Sequence, residues 1–162
     1  QLYWPPAMTY GSIGYVIGHE LTHGFDDQGR MFDGHGNQLN WWDDYAQEQF
    51  HLLSKCFIDQ YSEFKVGNLT SNGDLTLGEN IADNGGLRLA YNAFKNISTQ
   101  DKRQIRLPYL NLTPNQLFFI SFALYWCESS TPQATEYYLL KDFHALPRFR
   151  VQGTIQNMPE FH

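Results

Sequence analysis

Apolar residues recur at spacings of three and four along most of this chain, a period that predicts helices. Ile13, Val16, Ile17 and Leu21 make such a stripe between Ser12 and Phe25, with Gly24 placed to stop the helix. A second stripe runs from Trp42 through Tyr45, Leu53, Phe57 and Tyr61 to Phe64 and predicts one long helix. A third helix is expected from about Leu77 to Ile97. Gly85 and Gly86 weaken it by about 1 kcal/mol each relative to Ala and leave room for another backbone. Thr113-Pro114-Asn115-Gln116 reads as a capping box with proline at the first helical position, opening a fourth helix that ends near Cys127. Thr131-Pro132 opens a fifth by the same logic. Between Asp26 and Asn40, Asp33-Gly34 and Gly36-Asn37 break any helix and predict a turn-rich loop with a small hairpin. Gly67 to Asp74 reads as a polar connection, and after Pro147 the pattern is too short to assign an element. The chain is therefore mainly α with little strand, and it carries no internal repeat.

Composition narrows the class. At 162 residues and 18.8 kDa the chain has the size of one domain, and about 70% of its unfolded surface can be buried. With 42% hydrophobic and 16% aromatic residues it has the apolar surface that disordered chains lack. A net charge of -6 and a pI near 5.4 argue against a phosphate-neutralising surface, so nucleic acid is not an expected partner. The longest apolar run, Leu117 to Trp126 broken only by Ser121, is half the ~20 residues of a membrane span and predicts a buried helix. No initiator Met or signal-like segment opens the chain, so the expectation is a piece of a longer polypeptide. Cys56 and Cys127 are compatible with a mutual bond, with bonds to other segments, or with a place as small buried apolar residues. Sequons at Asn68, Asn96 and Asn111 lean slightly toward an extracellular protein.

The chemistry lies in His19-Glu20-Leu21-Thr22-His23, an HExxH string on a predicted helix. Residues four apart share a helix face, so both imidazoles can reach one ion. Zinc accepts His nitrogens, and a catalytic zinc site takes three protein ligands and keeps a fourth position open. Sixty residues on, Gly78-Glu79-Asn80-Ile81-Ala82-Asp83 places Glu79 and Asp83 four apart on another predicted helix. Glu79 would complete a His, His, Glu set of the thermolysin kind, and Asp83 would accept the free N–H of a zinc-bound imidazole. The plain alternatives are a surface helix with two histidines and a helix start that favours acids through its dipole. Neither accounts for the two strings occurring together.

These strings, with Trp41-Trp42, Leu77 through Gly86, Phe149-Arg150 and Gly153-Thr154-Ile155-Gln156-Asn157, resemble the neprilysin and endothelin-converting-enzyme family of zinc metallopeptidases in that family's order. The resemblance covers nearly the whole chain. It implies a zincin, thermolysin-like catalytic subdomain, a fragment of a larger two-domain ectodomain, either secreted or part of a single-pass membrane protein. It implies one zinc held by His19, His23 and Glu79, with Glu20 as general base and Asp83 orienting a ligand, His19 first. His144 would stabilise the oxyanion and Arg150 would grip a substrate carbonyl. Tyr15, Val16, Tyr125 and Trp126 fall where similar enzymes line the pocket for the residue after the scissile bond. Peptides cleaved on the amino side of large apolar residues are the implied substrates. His35, His51 and His162 carry no motif and no assigned role.

The chain departs from the family pattern in three places. It lacks the upstream Asn-Ala element that binds substrate as an added strand, the covering N-terminal domain, and the C-terminal cysteine and tryptophan. In similar proteins the counterparts of Cys56 and Cys127 bond to cysteines in those absent regions, so the two are not expected to pair with each other. The missing N-terminal part of the same polypeptide is an expected partner, and a membrane is one only through an absent upstream anchor. Two other classes compete with a peptidase. A peptide-binding scaffold on the same fold would have lost ligands or the base, and a structural zinc module would be closed and Cys-rich.

Overall fold

The computed structural model describes residues 4–100 and 107–162, without the side chains of 98–100. The Ser98 hydroxyl of the second sequon therefore lies outside the described residues. The architecture is helical: α1 (Pro6–Thr9), α2 (Tyr15–Thr22), α3 (Asp44–Ser62), α4 (Leu77–Gln100), α5 (Pro114–Tyr125), α6 (Pro132–Lys141) and α7 (Pro147–Gln156). The strands described, β1 (Lys65–Val66) and β2 (Leu69–Thr70), form one antiparallel hairpin. No helix among the described residues is long and apolar enough to cross a membrane.

Caps fix several helix starts where the sequence places them. Thr113 accepts from the Gln116 backbone N–H while the Gln116 side chain accepts from the Thr113 N–H, and Thr131 caps α6; Asp43, which the sequence reading did not single out, caps α3. Pro147 opens α7, a helix the sequence pattern was too short to assign. The hairpin expected between Asp26 and Asn40 reduces to one bridge, Phe32 with Gln38, and the paired strands fall at residues 65–70 instead.

The zinc-motif helix differs most from expectation. It starts at Pro6 and passes through a π turn, Tyr10–Gly14, before α2. Its buried side is Ala7, Gly11, Tyr15, Gly18 and His19, whereas Ile13, Ile17 and Leu21 are 52%, 56% and 65% exposed. Of the expected stripe only Val16 packs against the core of this chain. Small residues face it instead, because neighbouring backbones come too close for larger ones. A Cβ on Gly11 would lie 2.2 Å from the Phe118 carbonyl oxygen of α5, and one on Gly18 would lie 2.6 Å from the Gly86 carbonyl oxygen of α4.

The main core packs Tyr15, Leu87, Tyr91, Phe94, Phe118 and Phe122 between α2, α4 and α5. The apolar run of α5 buries Leu117, Phe118, Phe119 and Phe122 but leaves Leu124 and Tyr125 exposed, so it is a half-buried helix. A second cluster, Tyr61, Leu139, Leu146 and Phe149, joins α3, α6 and α7 beneath the hairpin. Cys56 and Cys127 are not bonded to each other, as expected, and both are exposed, so neither is a buried apolar residue.

Candidate metal centre

The crossing of α2 over α4 builds the site. Gly18, Gly85 and Gly86 let the two backbones meet: a Cβ on Gly86 would stand 2.5 Å from His19 N, and one on Gly85 would stand 2.5 Å from Thr22 Cγ2. That contact sets His19 and His23 opposite Glu79. The ligand atoms of these three residues all lie within 4.8 Å of one another. His19 Nε2 is 3.2 Å from Glu79 Oε2, His23 Nε2 is 3.5 Å from Glu79 Oε1, and the two Nε2 atoms are 2.9 Å apart. Two imidazoles and a carboxylate gathered this closely suit zinc in donor type and number.

Each imidazole turns its other nitrogen to a carboxylate. His19 Nδ1 faces Asp83 Oδ1 at 2.8 Å, and His23 Nδ1 meets Asp26 Oδ2 at 2.6 Å. His144, in the turn before α7, has Nδ1 at 2.7 Å from Asp142 Oδ1 and Nε2 at 3.3 Å from Glu79 Oε2. The geometry thus brings His144 to the ligand set and places Asp83 behind His19. Such partners fix ring orientation and tautomer and raise ligand basicity. Asp26 is itself fixed, because its Oδ1 accepts the Gln28 and Gly29 backbone N–H groups.

Asp83 is fully buried and heavily bonded. Arg150 donates Nε to its Oδ2 and Nη2 to its Oδ1, both at 2.6 Å, and the Tyr15 hydroxyl donates to Oδ1. Arg150 also reaches Glu79 Oε2 at 3.3 Å, and its guanidinium lies 4.0 Å from the Trp126 ring centroid. Most donors of Arg150 are therefore engaged with α4 and only Nη1 stays uncommitted among the described residues. Tyr15, expected to line a pocket, is 1% exposed and holds Asp83. Its ring also contacts Tyr125 and Trp126 at 6.1 Å each, while Val16 is half-buried against the main core.

Burial opposes a charged His19 ring, but Asp83 and Glu79 outweigh it and raise the pKa to about 9. Burial would raise Glu79 and Asp83, yet His19 and the neighbouring imidazoles and Arg150 hold Glu79 below its usual value, and Arg150, His19 and Tyr15 do the same for Asp83. Asp142 is held down in the same way by His144, against its burial. Glu20, between the two histidines in sequence, is exposed.

Sequence reasoning missed Asp26 and Asp142. Each lies two or three residues from the imidazole it holds, a local spacing that could have flagged both. The second role of Tyr15 had no sequence signal, since its partner is 68 positions away.

Comparison with known proteins agrees with this geometry. The model of Peptidase family M13 matches residues 1–162. An endothelin-converting enzyme homolog of Locusta migratoria is 50% identical over 157 residues, covering 97% of this chain and 22% of that protein. Neprilysin-3 of Drosophila melanogaster is 50% identical over 158 residues, covering 97% and 20% respectively. The crystal structure of the Mycobacterium tuberculosis zinc metalloprotease ZMP1 with an inhibitor superposes with a TM-score of 0.85 at 36% identity, over 96% of this chain and 24% of that one. The chain thus spans about a fifth of the length of the curated relatives it matches. With the whole chain matched by the family model and the His, His, Glu set assembled on two crossing helices, the chain belongs to Peptidase family M13, the neprilysin and endothelin-converting-enzyme family of zinc metallopeptidases.

Proposed function

We propose that this chain is the catalytic segment of a zinc-dependent endopeptidase that cleaves peptides on the amino side of large apolar residues. The observation that carries the reading is the convergence of His19, His23 and Glu79 on one point, each imidazole backed by its own carboxylate. Zinc bound there supplies Lewis acidity toward a carbonyl oxygen and lowers the pKa of water. The chain's own groups do the rest. Glu20 takes a proton from the attacking water and returns it to the leaving amine, a task commonly worth 10²–10⁴-fold in rate. His144 presents an imidazole N–H to the developing oxyanion, with Asp142 fixing the ring. Arg150, clamped by Asp83, offers Nη1 to a substrate carbonyl. Val16, Tyr125 and Trp126, beside Tyr15, supply an apolar wall for the residue after the scissile bond.

The rest of a longer polypeptide is the partner that fits the exposed Ile13, Ile17 and Leu21 stripe, and an extracellular location fits the sequons. Glu20→Gln tests the mechanism: zinc content should be unchanged while peptide hydrolysis falls by at least about a hundredfold. A variant as active as the parent would remove Glu20 from the reaction, and zinc retained with no activity in the parent would favour a binding protein.

A further inference from the structure

We propose that Asn68 is an N-glycan attachment site and that the hairpin tip carrying it faces solvent in the complete protein. The inference rests on the extracellular part of the proposed function and is independent of the zinc chemistry. The structure separates three sequons that the sequence leaves equal. Gly67 and Asn68 form the two-residue connection of the β1–β2 hairpin, where Gly67 takes φ +59°. A tight hairpin turn calls for that left-handed conformation, which glycine adopts without strain.

Asn68 and Thr70 are both exposed, and neither the Asn68 amide nor the Thr70 hydroxyl makes a hydrogen bond among the described residues. Alternation along the strands explains their exposure. Val66 and Leu69 pair across the hairpin and pack onto the cluster of Tyr61, Leu146 and Phe149, so Lys65 and Thr70 occupy the outer positions. Asn68 and Thr70 are thus both exposed at a surface turn, the setting expected of such a sequon.

The other two sequons are less suited. Asn96 lies within the long helix α4 and not on a surface turn. Asn111 is exposed, but the Thr113 hydroxyl accepts from Gln116 N at 3.2 Å and donates to Gln116 Oε1 at 3.1 Å, so it is committed to the cap of α5.

The reaction is a substitution at an anomeric carbon, with a polyprenyl-pyrophosphate-linked oligosaccharide as donor. The bond from Asn68 Nδ2 to sugar C1 forms, the bond from C1 to the phosphate oxygen breaks, and the pyrophosphate leaves with the electron pair. One amide proton passes to a base of the transferring enzyme. A hydrophilic chain at this tip would stand at the rim of the cleft of about 1030 Å³ that Val66 and Leu69 line with Leu124, Leu146 and Val151. It would reserve the hairpin face for solvent and leave docking to other exposed apolar faces.

The test is peptide mapping of the protein made in a secretory eukaryotic cell, after release of N-glycans by peptide-N-glycosidase in heavy-oxygen water. Labelled aspartate at position 68 is expected, and unmodified Asn68 in most of the recovered peptide overturns the proposal. Asn68→Gln and Thr70→Ala should each remove the same single glycan step in gel mobility, whereas Asn96→Gln should not. Mapping the parent protein needs no variant, so a folding defect cannot mask the result. Peptide cleavage by the same preparation reads the peptidase proposal separately, and either result can fail without the other.

Discussion

Asp26 holds His23 as Asp83 holds His19, and the two carboxylates differ in what stands behind them. Asp83 shares its charge with Arg150, while Asp26 is fixed only by two backbone N–H groups and the imidazole itself. Asp26→Ala should therefore weaken zinc binding about 10–100-fold without unfolding the chain, as measured by competition with a chelator. Unchanged affinity would show that the ring needs no such support. His19 makes a second prediction. Its pKa is raised to about 9 in the metal-free chain, so binding zinc must displace a proton and the apparent affinity should climb as pH rises toward about 9. The stability of the metal-free chain should run the other way. The pairing of protonated His19 with Asp83 and Glu79 contributes fully below the unfolded value near 6.5 and is lost as pH rises through about 9. Thermal melting across that range, with and without zinc, reads both trends. At this scale the sequence was legible where chemistry is local: the HExxH string is five consecutive residues, and Glu79 and Asp83 are one turn apart. Arg150 and Tyr15 reach Asp83 from distant positions, and their bonds to it became visible only once the helices had crossed.

Among the elements, the crossing of α2 and α4 decides whether the site exists. Gly86→Ala would put a methyl group 2.5 Å from the His19 backbone nitrogen, and the helices would have to separate. Such overpacking costs about 1–3 kcal/mol, so the melting temperature should fall and zinc affinity with it. Gly24→Ala is the control, because nothing lies within 4 Å of its Cβ position. Equal effects from the two substitutions would mean that close approach at Gly86 is unimportant. The same crossing shows why helix periodicity misled at α2. Where backbones touch, the buried face is made of glycine, alanine and functional side chains, and apolar residues such as Ile13 and Ile17 are left for other partners. The hairpin was displaced for a related reason. Turn-forming residues at 33–37 build an Asx-bonded loop around Asp33, whose carboxylate accepts the His35 and Asn37 N–H groups, so little strand pairing follows.

For the whole molecule, α2 and α4 bring His19, His23 and Glu79 together with Asp83, and Arg150 of α7 and His144 of the turn before it reach the same carboxylates, yet large apolar side chains stay in solvent. Ile17, Leu21, Leu53, Leu124 and Phe143 are all more than half exposed. Since the chain covers only about a fifth of its relatives' length, those faces fit contacts with further polypeptide. The predominantly helical class was legible because one capping box at α5, single caps at α3 and α6 and long stripes are local signals. Which faces are covered was not, because the close approach of the zinc-motif helix to α4 and α5 turns glycines inward and its apolar residues outward. The central claim is that His19, His23 and Glu79 form one zinc site, and the metal content of the purified protein tests it most directly. Elemental analysis should find one zinc per chain, absent when Glu79 and His23 are both replaced by alanine. No zinc in the parent protein, or zinc that persists in the double variant, would contradict the account.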